Sequence, residues 1–297
     1  PASARVTIVT AVARTSLAVI RDAAGVDAVA RHARQVGRVT MDFEFLWEKT
    51  YAPMPCLAQV AVAGEVHLID PVEGAPLGPL GELVADPDVL VIMHAPSADL
   101  TLLALHLGVR PQNLHDVQLM AGFVGLGAGQ GLSVLLERVL KVRLDKGEQY
   151  TDWSRRPLTS KQLVYAAADV EHLDELHDRL LERARSQGRE QWVWEEHERR
   201  YGPDARLAPQ PEEAWRKVKG QAKLAPADRA VLKELTAWRE RAAAERDRPT
   251  QWICPDRTLL EIARRKPDDE ATLQRERGLP ERMRRPDIDG ILAAVAA

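Results

Sequence analysis

The sequence predicts an α/β domain with a mixed sheet, followed by a small all-α helical-bundle domain. Three observations carry that prediction. Short apolar runs of strand type alternate with helical patterns through the first part of the chain, and one pair of runs has the look of a hairpin. A proline-rich break spans residues 202–211, with three prolines in ten residues. Beyond it the apolar spacing is helical throughout. The length, 297 residues, is comfortable for two domains, and 45% hydrophobic residues can build their cores.

In chain order, residues 6–9 and 17–20 read as short strands and 25–35 as a helix ending near Gly37. Residues 39–45 follow as a strand. Residues 57–62 and 65–69 form two β-rich runs joined at Ala63 and Gly64, a hairpin signal. Residues 81–85 look helical, and 89–93 is an unbroken apolar run of the kind found in buried strands. Ser97 is placed to cap a helix that begins at Ala98 and Asp99. Residues 114–117 read as a strand, 132–140 as a helix, and 160–185 as one long helix capped by Thr159 or Ser160.

These elements divide the chain into a first domain over 1–202, a stiff linker over 203–211 and a helical domain over 212–297. The last has helical patterns at 212–219, 227–247, 256–265, 271–275 and 288–296. Prolines near several of the predicted starts fit the first helical turn, where a missing N–H costs little.

Composition narrows the function classes. Two cysteines, Cys56 and Cys254, lie about 200 residues apart in no metal-ligand spacing, so a disulfide framework is not expected and a reducing compartment is. No apolar run approaches the roughly 20 residues of a membrane span. The expectation is a soluble, cytoplasmic protein with no membrane partner. The net charge of −3 is unevenly distributed. Residues 1–208 carry a net of −6 and residues 209–297 a net of +3. That pattern suits cations held in one part and phosphates in another.

Asp42 and Glu44 are two apart on a predicted strand, so both carboxylates face one side while Phe43 and Phe45 face the other. Two carboxylates so close repel unless one is protonated or a cation lies between them. Asp99 stands in the first turn of the helix after a buried strand. Tyr165 and Asp169 are four apart on a helix and share a face. The three alanines between them leave room above that helix. Each feature alone has a structural explanation: a solvated strand face, a charge on a helix dipole, a core tyrosine. Together they place four carboxylates and a phenol in one chain at spacings that let them converge.

This set resembles the DEDD superfamily of 3′→5′ exonucleases, in the branch with tyrosine at the third motif, and within it the ribonuclease D family. Met41-Asp-Phe-Glu-Phe is similar to the first exonuclease motif, His94-Ala-Pro-Ser-Ala-Asp-Leu to the second and Tyr165-Ala-Ala-Ala-Asp to the third. Flanking segments agree: Thr50-Tyr-Ala-Pro-Met-Pro-Cys-Leu-Ala-Gln-Val, Gly131-Leu-Ser-Val-Leu, Leu144-Asp-Lys and Thr151-Asp-Trp-Ser-Arg-Arg-Pro-Leu. The resemblance runs almost continuously from about residue 36 to 180. Phe43 departs from it, standing where the family usually has threonine, and changed packing with retained catalysis is expected.

The resemblance implies a ribonuclease-H-like fold and hydrolysis of phosphodiester bonds with two divalent cations, Mg²⁺ or Mn²⁺. Such cations prefer the oxygen ligands that four carboxylates supply. It implies that Asp42 bridges both metals, that Glu44 and Asp169 hold the metal carrying the nucleophilic water, that Asp99 supports the second metal, and that Tyr165 orients that water. The implied substrate is RNA, trimmed from its 3′ end to nucleoside 5′-monophosphates, with tRNA precursors and other structured RNAs typical. A DNA exonuclease of the same superfamily, or a non-catalytic nucleic-acid-binding protein, remains an alternative at this point.

Trp153, Arg155 and Arg156 are candidates for contact with bases and phosphates. The segment from Gly125 to Gly131 has glycines at alternate positions but fails the dinucleotide spacing, because Gln130 stands where the third glycine is needed. It is read as a loop before a helix. His94, His106 and His115 are expected to be structural or to support the site from behind its ligands, since their spacing makes no metal-ligand cluster. The C-terminal region resembles the HRDC module through Ala214-Trp-Arg-Lys-Val-Lys-Gly, Leu235-Thr-Ala-Trp-Arg-Glu-Arg-Ala and Leu259-Leu-Glu-Ile-Ala-Arg-Arg. The resemblance implies auxiliary nucleic-acid binding, with Lys217, Lys219, Arg264, Arg265, Arg282, Arg284 and Arg285 as candidate phosphate contacts. One such module fits here, where family members often carry two.

Overall fold

A computed structural model describes residues 17–144, 151–279 and 283–297. The strand expected over 6–9, Asp145 and Lys146 of the Leu144 motif, and Arg282 lie outside the described residues. Two compact units emerge: Met54–Leu207 with the chain up to Leu46, and Ala208–Ala297 with Trp47–Pro53.

The first unit is built on six strands: β1 (Val19–Ile20), β2 (Arg38–Leu46), β3 (Met54–Val62), β4 (Glu65–Ile69), β5 (Leu90–Met93) and β6 (Leu114–Asp116). Their order across the sheet is β1-β4-β3-β2-β5-β6. The hairpin of β3 and β4 pairs antiparallel, as does β2 with β3, whereas β5 lies parallel to β2 and β6 parallel to β5. The hairpin turns at Ala63 and Gly64, both with positive φ, the backbone region a tight two-residue turn requires.

Alternation along β2 sets the two faces of the sheet. Val39, Met41 and Phe43 join one core, shared with α1 (Ala23–Val36), α2 (Gly78–Val84) and α3 (Ser97–Leu107). Helix α1 contributes Val26, Val29, Ala30 and Ala33, the spacing of one helical stripe, and it stops at Gly37 in the left-handed conformation. The opposite face carries Thr40, Asp42 and Glu44. It is covered by α4 (Val117–Phe123), α5 (Leu132–Val139), α6 (Ser160–Glu171), α7 (Leu173–Ser186) and α8 (Glu190–Tyr201), whose apolar residues form the other cores.

Three local expectations are corrected. The helix expected over 160–185 is two helices, broken at His172, whose φ of −111° and ψ of 3° are not helical. Its start was legible: Thr159 and Gln162 form a reciprocal capping box. Ser97 does not cap α3; Pro96 holds the cap position without a side-chain bond, and Ser97 is already helical. The proline-rich stretch does not leave the first unit at residue 203. Ala205 and Leu207 are buried in its core, and their carbonyls accept hydrogen bonds from Arg110 at 2.6 Å and Thr101 at 2.7 Å.

The second unit opens with a 3₁₀ turn, Pro211–Lys217, where an ordinary helix was expected. It continues through α9 (Pro226–Arg246), α10 (Thr250–Ile253), α11 (Asp256–Arg265), α12 (Glu270–Leu273) and α13 (Arg285–Ala296). Its core gathers Leu232 and Leu235 with Leu259, Ile262, Ile288 and Ile291. Among the described residues, no helix is long and apolar enough to cross a membrane.

Candidate active site

The candidate site lies at the carboxyl ends of the parallel strands β2 and β5, the end of an open α/β sheet where ligands usually bind. Strand β5 pairs with β2 through Arg38, Val39 and Thr40, and the chain then turns into α3. Asp42 and Glu44 project from β2 beyond that pairing, and Asp99 rises beside them from the first turn of α3, 7% exposed. A register shift between Glu44 and Phe45 ends the regular ladder with β3 just after the acidic pair.

Helix α6 closes the site from the polar face of the sheet. Ala166 and Ala167 are buried beneath it, and small side chains there let the helix approach the sheet closely. The Thr40 hydroxyl donates to the carbonyl of Val170 at 3.2 Å, tying the helix to β2 one residue after Asp169. Oxygens of Asp42, Glu44 and Asp169 then lie within 4.8 Å of one another. Asp99 is outside that convergent group, but its charge acts on both Asp42 and Glu44. Tyr165 lines the same cleft one helical turn before Asp169, with its ring tilted against Trp153 at 6.1 Å. Phe43 packs into the core below, as its phase on the strand predicts.

Burial and like charge dominate the electrostatics. Desolvation, and then the neighbouring carboxylates, push Asp42 well above the carboxylate range. Glu44 is raised to about 8 by desolvation and by the charges of Asp169 and Asp99. Desolvation raises Asp99 to about 7 and Asp169 to about 7. The Phe43 N–H works against this at both Asp42 and Asp99, favouring their ionised forms. Half-buried carboxylates converging this closely are an arrangement that a divalent cation with a preference for oxygen ligands relieves. The donor set therefore fits hard cations such as Mg²⁺ or Mn²⁺.

The cleft has a volume of about 560 Å³. Besides the acidic residues it is lined by His94, Gly131, Leu132, Ser133, Val134 and Leu144. Sequence reasoning assigned these no role in the site; the signal was their presence in the flanking segments of the resemblance. His94 and Gln118 both donate to the carbonyl of Gln130, at 2.9 and 3.1 Å. Those bonds pin the end of the glycine-rich loop against the cleft, and Gly125, Gly127 and Gly129 all have positive φ there.

Two expectations about substrate contact are corrected. Trp153 is 2% exposed and packs with Cys56, Leu57, Leu68 and Ala166, so it offers no face to a base. The guanidinium of Arg156 is committed to the buried carboxylate of Asp70, at 2.5 and 2.6 Å, and to the carbonyls of Cys56, Trp153 and Arg155. Arg155 is the exposed member of that trio, 84% exposed and paired with Asp152 at 3.1 Å. In the second unit Lys217, Lys219, Arg264 and Arg265 are exposed. Arg264 pairs with Glu261 at 3.1 Å and Arg265 with Glu276 at 3.4 Å.

Comparison with known proteins agrees with this geometry. A family model described as 3′-5′ exonuclease matches residues 17–185, and an HRDC domain model matches residues 228–295. Ribonuclease D of Zymomonas mobilis is 38% identical over 262 residues, covering 88% of this chain and 67% of that protein. Ribonuclease D of Gluconacetobacter diazotrophicus is 37% identical over 274 residues, covering 91% and 68%. The crystal structure of Escherichia coli RNase D, described as an exoribonuclease involved in structured RNA processing, superposes with a TM-score of 0.81. It is 29% identical, with 95% of this chain and 74% of that chain covered.

Proposed function

This chain belongs to the ribonuclease D family of 3′-5′ exonucleases, and from that membership we propose that it is a divalent-metal-dependent 3′→5′ exoribonuclease that trims structured RNAs such as tRNA precursors, releasing nucleoside 5′-monophosphates. The observation that carries the reading is the convergence of Asp42, Glu44 and Asp169 within 4.8 Å in a cleft shared with Tyr165.

In this reading Asp42, Glu44, Asp99 and Asp169 hold two divalent cations. When bound, such cations activate a water and stabilise the leaving 3′-oxyanion of an in-line displacement. The chain's own residues bind and position. The hydroxyl of Tyr165 orients the attacking water, whose oxygen bonds to phosphorus as the P–O3′ bond breaks and a proton passes to the departing 3′-oxygen. Leu132, Ser133 and Val134 form the wall against which the terminal nucleotide lies. Arg155 is the first candidate for a phosphate contact near the cleft. Lys217, Lys219, Arg264 and Arg265 would add salt-sensitive affinity from the HRDC unit.

The test is release of mononucleotides from a labelled tRNA precursor and from a matched DNA oligonucleotide, with Mn²⁺, Mg²⁺ or chelator. Asp42→Ala and Asp169→Ala should each lose activity by about three orders of magnitude or more while keeping wild-type circular dichroism. Near-wild-type activity in either variant sinks the site assignment. RNA degraded no faster than DNA sinks the substrate assignment.

A further inference from the structure

Gln59 is fully buried, and among the described residues neither its amide nitrogen nor its amide oxygen has a hydrogen-bond partner. A buried, unsatisfied carboxamide is costly, so its retention inside a sheet calls for a partner. The sheet register shows where that partner is. Gln59 lies on β3 directly opposite Asp42 on β2. Its neighbours two residues away, Leu57 and Ala61, face the helices that cover the polar side of the sheet. Gln59 therefore shares the face of Thr40, Asp42 and Glu44. Side chains directly opposite across an antiparallel pair have Cβ atoms roughly 5 Å apart, within reach for a glutamine and an aspartate.

Asp42 is thus flanked by two unlike neighbours. On the β5 side stands Asp99, whose charge opposes ionisation of Asp42. On the β3 side stands Gln59, fully buried and not part of the cleft lining. We propose that Gln59 is a positioning residue for the metal-holding carboxylates: its amide N–H₂ donates to the Asp42 carboxylate when that group turns its other oxygen to a divalent cation. A ligand carboxylate held at its other oxygen by a hydrogen bond keeps one orientation, and loss of such a support typically weakens metal binding about 10–100-fold. The proposal rests on the reading that the Asp42 cluster holds divalent cations.

The test is Mn²⁺ binding measured by titration calorimetry on the full chain, wild type against Gln59→Leu and Gln59→Met, alongside thermal unfolding in chelator. The expected result is Mn²⁺ affinity reduced about tenfold or more in both variants, with an unfolding midpoint in chelator equal to or above wild type. The Mn²⁺ concentration for half-maximal hydrolysis should rise in parallel, with kcat at saturating Mn²⁺ and KM for RNA nearly unchanged. A folded variant that binds Mn²⁺ within twofold of wild type overturns the proposal. So does an unfolding midpoint that falls in step with affinity, which marks a packing role. Wild-type chain that binds no Mn²⁺ overturns the metal-site reading itself, a different result. Should neither variant fold, the side-chain amide resonances of Gln59 in wild type decide. They are expected to move when Mg²⁺ is added, and resonances that stay fixed through saturation overturn the proposal.

Discussion

The first unit withdraws carboxylates from solvent at Asp70 and in the acidic cleft, and treats the two places in opposite ways. Asp70, 0% exposed, is met by the chain's own cation. Arg156 pairs with both its oxygens at 2.5 and 2.6 Å, and the backbone N–H groups of Val72 and Glu73 add bonds at 3.0 and 3.2 Å. Asp42, Glu44, Asp99 and Asp169 receive no arginine or lysine in any ion pair found among the described residues; desolvation raises all four, and at Asp42 and Glu44 the neighbouring carboxylates add to it. A paired buried carboxylate serves the fold. On the reading proposed above, a convergent set without a protein cation is held for a cation that arrives from outside, and the fold carries its electrostatic cost.

The contrast breaks most decisively at Arg156. Arg156→Ala leaves Asp70 buried without its cation and is expected to cost about 3–5 kcal/mol of stability. Asp42→Asn in chelator is expected to change stability in the other direction, because it removes one charge from a repelling set. Urea titrations of the two variants with their parent check both signs. A loss below about 1 kcal/mol for Arg156→Ala would erase the distinction between the two regions.

The pH dependence sharpens it. The unfolded values of these carboxylates lie at 3.8 and 4.5, whereas in the folded chain Glu44 is raised to about 8 and Asp99 and Asp169 to about 7. Between those limits the folded state binds more protons than the unfolded state, so stability falls as pH rises. In chelator the thermal midpoint should therefore decline from pH 5 to roughly pH 8 relative to the Mg²⁺-saturated protein, a comparison in which the opposite contribution of His115, His177 and His197, all lowered by desolvation, cancels. Saturating Mg²⁺ adds stability by binding the folded state alone. Midpoints with and without Mg²⁺ that keep a constant separation through the window contradict the raised values.

The smallest expected effect is at the hinge of the acidic site. Thr159→Ala removes half of the capping box that starts α6 and should cost about 1 kcal/mol. Activity per folded molecule should be retained, since Tyr165 and Asp169 lie more than a turn further along the helix. Chemical denaturation and a single-turnover assay on the same preparation separate the two quantities.

How much of this was legible in the sequence depends on how far apart in the chain the cause of each feature lies. The phase of β2 was readable because Asp42 and Glu44 alternate with Phe43 and Phe45, and period-two alternation admits one assignment of faces. The start of α6 was readable because its capping box is contained in four residues. Trp153 and Arg156 were misread because most of what buries them is remote: Asp70 is 86 residues from Arg156, and of the buried apolar residues clustered with Trp153 only Ala166 on α6 is near in sequence, Cys56 and Leu57 lying on β3 and Leu68 on β4. A tryptophan and two arginines beside an acidic site look the same in sequence whether they face a phosphate or the core. The break at His172 was missed because α6 and α7 pack on different partners with no proline or glycine between them. The role argued for Gln59 follows from its burial and from its register opposite Asp42, neither of which a linear reading shows.

The position of α6 has a consequence for the life of the chain. The first carboxylates are made at residues 42 and 44, the next at 99, and the last at 169, and α6 must dock on a finished sheet before the three groups meet. During synthesis more than half of the molecule therefore exists before Asp169 is made. If the cluster is the catalytic centre as proposed above, a nascent or unfolded copy carries its early acidic residues without the assembled site. A fragment ending before Asp169 would lack one member of the convergent set.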